Sequence, residues 1–131
     1  MARTLQEQRA LTSVTNLVST SSGLVDPDVT LADVRLRIGG PIGWYLRLVK
    51  KRGMTIGRNI FFRDEAARAD TALVIHELVH VAQYARMGIP RFLIAYLRDM
   101  AKARFHYSHT LPLEAPAYER QSRAEELLGR Q

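Results

Sequence analysis

The segment that most constrains this chain runs Thr71-Ala-Leu-Val-Ile-His-Glu-Leu-Val-His-Val-Ala-Gln-Tyr84, an apolar stretch interrupted by His76, Glu77 and His80. Successive helical residues turn by about 100°, so Val74, Leu78, Val81 and Ala85 fall on one face and form the expected buried stripe. His76, His80, Gln83 and Met87 fall on the other face, which predicts that the two imidazoles point into a cleft. Four residues apart on one helix, His76 and His80 stand one above the other and can share a single ion. Glu77 lies beside them. Two neutral imidazoles suit zinc, and a neighbouring carboxylate can take a proton from zinc-bound water, which is the chemical logic of the H-E-x-x-H motif. The plainer alternative is a pair of surface or core-edge histidines on an amphipathic helix.

A metal held here has a restricted choice of further ligands. The chain contains no cysteine, which excludes thiolate sites and disulfides and leaves only histidine and carboxylate donors. Catalytic zinc takes three protein ligands and keeps one position open, so one more residue is expected. A histidine six positions beyond His80 would mark the metzincin pattern, but that position is Arg86. Downstream, His106, His109, Glu114, Glu119 and Asp99 remain as candidates, with Asp99 the weakest because basic surface positions flank it. Glu114 is favoured because it opens a helix after a hairpin-length return, where the chain can pass back beside the motif helix.

The 131 residues, with 47% hydrophobic content, suffice for one globular domain spanning 1–131, in which 1–30 form an N-terminal helix and a linker. Leu11, Val14, Leu17 and Val18 repeat at helical spacing, although Thr12, Val14, Thr15 and Val18 are β-branched. Strict alternation over Val34-Arg-Leu-Arg-Ile38 predicts a half-buried strand. Ile42 to Arg52 reads as a short helix with Gly53 just past its end, and with Trp44 and Tyr45 in or beside the core. Met54 to Arg63 reads as a second strand, perturbed in the middle by Gly57 and Asn59, that pairs with the first. The motif helix runs from about Asp70 to Met87 and ends at Gly88-Ile89-Pro90. A second long helix, Arg91 to His106, returns against it with Leu93, Leu97, Met100 and Ala101 turned to the core. A loop through His109 leads to a last helix, Glu114 to about Gly129, with Pro116 in its first turn.

Three segments together carry a family resemblance. Thr55-Ile-Gly-Arg-Asn-Ile-Phe-Phe62, His76-Glu-Leu-Val-His-Val-Ala-Gln-Tyr84 and Leu113-Glu-Ala-Pro-Ala-Tyr-Glu119 resemble small bacterial gluzincin-like metallopeptidase domains, including those attached to toxins and injection-system cargo. The resemblance covers roughly residues 34 to 125. It implies an α+β, mostly helical, minimal zincin-like domain with a small antiparallel sheet or hairpin on the motif helix and a C-terminal helical part. It also implies Zn2+ bound by His76, His80 and Glu114, with Glu77 as general base. Pro116 departs from the comfortable geometry of the third segment, which keeps Glu119 as an alternative ligand. Tyr118 and His109 are candidates to hydrogen-bond a developing oxyanion, and Gln83 to orient a ligand.

The expected function is zinc-dependent hydrolysis of a peptide or protein substrate, with the strand from Ile56 to Phe62 offering its backbone to that substrate. The alternative is a catalytically inactive relative that holds a peptide or protein partner in the same cleft. A net charge of +6 concentrates between Asp33 and Asp64, where Arg35, Arg37, Arg47, Lys50, Lys51, Arg52, Arg58 and Arg63 meet no acidic residue. Such a field attracts anions, but no nucleic-acid motif accompanies it and no specific nucleic-acid partner is expected. Neither a secretory signal nor an apolar run long enough for a membrane span is visible, which predicts a cytoplasmic protein.

Overall fold

The computed structural model describes residues 4–21, 23–27, 29–102 and 111–129. Helix α1, Leu5–Thr20, starts at Thr4, whose side chain accepts from the Glu7 amide. Its β-branched content is absorbed by a division of labour. Thr12 and Thr15 return their hydroxyls to the carbonyls of Gln8 and Leu11 on the wet side, while Ala10, Val14 and Leu17 are buried. Glu7 is buried too, and its carboxylate accepts from the Leu36 amide at 2.7 Å and pairs with Arg35, which ties α1 to the first strand.

Strand β1, Arg35–Ile38, buries Leu36 between exposed or half-exposed neighbours, and helix α2, Gly40–Leu48, follows. The expected helix to Arg52 stops four residues early, and Gly53 is not its terminator. The Lys50 amide returns to the Arg47 carbonyl and the Lys51 amide to the Leu46 carbonyl, a Schellman closure in which Lys50 occupies the left-handed position at φ 60°. Glycine usually marks that position, so the stop was invisible in the sequence. Trp44 and Tyr45 are not core residues either, being 68% and 47% exposed.

The segment expected as one strand is a hairpin of β2, Gly53–Ile56, and β3, Asn59–Phe62, joined by Gly57 and Arg58. Gly57 has φ 64°, and a Cβ there would stand 3.3 Å from the Ile89 side chain, so both backbone and space call for glycine. The hairpin is antiparallel as expected, but β1 pairs with β3 in parallel, which makes the sheet mixed with order β1-β3-β2. β2 is therefore an edge, and β3 is paired on both sides. The fold class is α+β and mostly helical.

A one-turn helix α3, Glu65–Arg68, capped by Asp64, leads into α4, Thr71–Met87. Asp70 caps α4 through the Leu73 amide, and Gly88 closes it at φ 82°. Every residue from Ala72 to Ala82 is buried. The expected two-faced helix is thus enclosed on all sides by α1, α3, β2 and the two helices that follow, while Ala85, assigned to the buried stripe, is exposed. Truncating a side chain such as Val74, Ile75 or Leu78 to alanine costs about 2–5 kcal/mol where the site cannot collapse.

Helix α5, Ile89–Lys102, doubles back against α4 and begins two residues before the expected start, with Pro90 accommodated in its first turn. Only Phe92 is fully buried. Leu93 and Leu97, expected in the core, are 41% and 61% exposed because the helix is anchored through Phe92 and Tyr96 instead. Helix α6, Ala115–Gly129, packs along α4 and buries Ala117 and Ala124. No helix among the described residues is long and apolar enough to cross a membrane.

Candidate metal centre

Three elements meet at the histidine pair. α4 supplies His76, Glu77 and His80; the turn before α6 supplies Glu114; β2 supplies Thr55. Glu114 stands immediately ahead of Ala115, and its backbone carbonyl accepts from the Tyr118 amide, so it occupies the N-terminal boundary of α6. Pro116 falls in the first turn, where its missing N–H is harmless. The Glu114 carboxylate reaches both imidazoles, with Oε1 2.7 Å from His80 Nε2 and 3.2 Å from His76 Nε2. His76, Glu77, His80 and Glu114 are all at most 5% exposed.

The remaining ring nitrogens define what those contacts are. His76 Nδ1 donates to Gln121 Oε1 and His80 Nδ1 donates to Gln83 Oε1, each at 2.8 Å. The Gln83 amide nitrogen donates in turn to the Leu113 carbonyl at 3.0 Å, which fixes the direction of its oxygen. A neutral ring that keeps its proton on Nδ1 turns an Nε2 lone pair toward the carboxylate oxygen. Three electron-pair donors, all within 4.8 Å of one another, thus converge at a buried point. They repel unless a cation or a proton lies among them. The spacing suits zinc, whose tetrahedral ligand atoms stand about 3.3 Å apart when bound at about 2 Å. Burial disfavours a charge on His80, yet its hydrogen bond to Glu114 and the carboxylates of Glu77 and Glu114 outweigh that, and its pKa lies above the ordinary 6.5. A proton can stand in for the cation.

Glu77 faces the same point without joining the triad. Its Oε1 accepts from Thr55 Oγ1 at 3.0 Å, and its Oε2 lies 4.0 Å from His76 Nε2. A cavity of about 90 Å3, room for a few waters, adjoins Glu77, both histidines and Glu114, and is roofed by Phe92, Leu93 and Tyr96 of α5. Tyr96 donates its hydroxyl to Glu114 Oε2 at 3.0 Å, and burial followed by the Glu114 charge pushes its pKa upward, so the phenol stays a donor. Tyr84, buried nearby, is pushed up to about 12, first by burial and then by Glu77.

The structure brings His76, Glu77, His80, Glu114 and Gln83 together. Tyr118 stands edge-on to His76 with ring centres 4.5 Å apart. Glu119 points away, 59% exposed and facing Arg123, and Asp99 is on α5 outside the cluster. His106 and His109 lie outside the described residues. Thr55, Tyr96 and Gln121 were not anticipated. Thr55 sits on an edge strand directly before the turn that Gly57 marks, but Tyr96 and Gln121 lie on helices whose rotation nothing local specifies.

Residues 26–88 match the family model of the eCIS core domain. Just under half of the chain is covered, from the loop before β1 to the end of α4, so His76, Glu77 and His80 lie within the match while Glu114 lies beyond it. The similarity to the core domain of extracellular contractile injection systems fits the injection-system cargo setting of the resemblance, and it carries no peptidase assignment. No curated protein and no solved structure was found to match the chain.

Proposed function

We propose that this chain is a zinc-dependent hydrolase acting on peptide bonds. The observation that carries the reading is the convergence of His76 Nε2, His80 Nε2 and the Glu114 carboxylate on one buried point, with Glu77 beside it and outside the ligand set. Those three side chains would hold the ion, which when bound supplies a Lewis acid that polarises a scissile carbonyl and lowers the pKa of a water. Glu77 accepts that water's proton and hands it to the departing amine. The Thr55 hydroxyl holds one Glu77 oxygen and leaves the other on the side of His76. Gln83 and Gln121 keep both Nδ1 atoms protonated, which reserves each Nε2 as a ligand. Tyr118, edge-on to His76, is the described candidate for donating to the oxyanion.

The substrate would lie against β2 rather than β3. Strand β3 is paired on both sides, whereas Gly53, Met54 and Thr55 of the edge strand line the cavity and can add an extended peptide by backbone hydrogen bonds. Changing Glu77 to Gln tests the proposal: zinc content should be retained and peptide cleavage lost. Cleavage that survives in the Glu77→Gln protein sinks the mechanism.

A second reading has its own support. The cavity at the triad holds only about 90 Å3 under α5, which suits a closed, metal-stabilised module that binds a partner and cleaves nothing. Zinc bound without turnover of any peptide in a broad library would favour it.

A further inference from the structure

We infer that the groove beside the metal centre selects an extended peptide segment in which an apolar side chain neighbours acidic ones. The inference rests on the reading above in taking Glu77 to act on what the groove delivers. A groove of about 700 Å3 also reaches His76 and Glu77, and it is the larger approach, since the cavity under α5 holds only about 90 Å3. Gly53 borders both spaces, so a peptide laid along the β2 edge passes from one into the other.

The walls of the groove give the chemistry. The lining presents Tyr45 of α2 and Val49 just past that helix, 47% and 42% exposed, together with Met100 of α5. Large apolar side chains left in water beside a concave site mark where a ligand's apolar group is buried. Lys50, Lys51 and Arg52 follow directly on Val49 and line the same groove. Arg52 is paired with Asp70 at 2.9 Å, and together with Lys50 and Lys51 it gives the lining three cations. Glu77 is the only acidic residue lining the groove among the described residues, and it sits at the inner end. The Schellman closure of α2 ties the backbone of Lys50 and Lys51 to the end of the helix, because theirs are the amides that close it. An acidic substrate is therefore attracted at the mouth and repelled only where chemistry takes place.

Fluorescence anisotropy of labelled peptides on the full-length, zinc-loaded Glu77→Gln protein tests this without turnover. The probes share a leucine-containing core and differ only in flanks of glutamate, serine or lysine. At low salt the glutamate probe should bind about tenfold more tightly than the lysine probe, the sum of two or three solvent-exposed ion pairs, and the difference should shrink at high salt. Replacing both lysines, Lys50→Glu with Lys51→Glu, should invert the order, and Lys50→Gln with Lys51→Gln should abolish it. Tyr45→Ala with Val49→Ala should weaken all three probes alike. Equal affinities for the three probes, or a preference unchanged by charge reversal, would overturn the inference. Glu77-dependent cleavage with no charge preference overturns the groove and leaves the hydrolase standing; charge-selective binding with no cleavage of any probe does the reverse.

Discussion

Gln83 joins the second histidine to the turn that carries Glu114: its amide oxygen accepts from His80 Nδ1 at 2.8 Å while its amide nitrogen donates to the carbonyl of Leu113, the residue before Glu114. One side chain thus sets the tautomer of His80 and holds the turn that delivers Glu114. Gln83→Ala should lower zinc affinity about 10- to 100-fold, as loss of a partner that orients a ligand commonly does. Competition against a chelator of known affinity measures it, and unchanged affinity would mean that the α6 turn is held by other contacts.

Glu114 and Glu119 respond differently. Glu114→Gln removes the one carboxylate within reach of both Nε2 atoms and should abolish stoichiometric zinc in metal analysis. Glu119→Gln changes an exposed residue on α6 and should leave zinc content as it is. The opposite result would reassign the third ligand.

The Asp64 cap predicts a pH dependence. The amide of Ala67 hydrogen-bonds the Asp64 carboxylate and, with Arg63, holds its pKa below the ordinary 3.8. A depressed carboxylate contributes stability that is present above its unfolded pKa and lost as pH falls through the folded value. Asp64→Ala should therefore cost about 1 kcal/mol near neutral pH. In denaturant titrations the gap between the two proteins should close as the pH falls below about 3.8.

Lys50 carries a side chain at φ 60°, the left-handed conformation that disfavours every residue with a Cβ. Lys50→Gly should stabilise the protein by about 0.5–1 kcal/mol, visible as a rise in the thermal midpoint of a few degrees. Lys50→Val should lower it, since β-branching makes that conformation worse. The glycine variant should also weaken binding of the glutamate-flanked probe, which separates the structural role of this position from its charge.

Much of the architecture is legible in local pattern. The apolar run from Ala72 to Ala82 reads as a helix, though not as one enclosed on every side, Asp70 and Gly88 mark its ends, and the alternation from Val34 to Ile38 gives β1. Absence of cysteine and the spacing of His76 and His80 fix which donor types can meet a metal, because that spacing is a property of the helix itself. Glu77 is placed by the same helix. These are short-range consequences, and they need nothing beyond one element's periodicity.

Other features depend on how elements meet. The end of helix α2 and the order of the sheet escape the sequence because Lys50 takes a conformation that glycine normally signals, and because β1 pairs in parallel with β3 while β2 takes the edge. The exposure of Tyr45, Leu93 and Leu97 follows from which side of α2 and α5 the rest of the chain covers. Tyr96 and Gln121 reach the centre only once α5 and α6 are docked on α4. The sequence by itself determined the two histidines and the glutamate between them, since helical geometry links residues four apart. Only the tertiary structure placed Glu114 and not Glu119 beside the histidines, because residues five apart in the chain point in different directions and the packing of α6 on α4 selects which of them faces the pair.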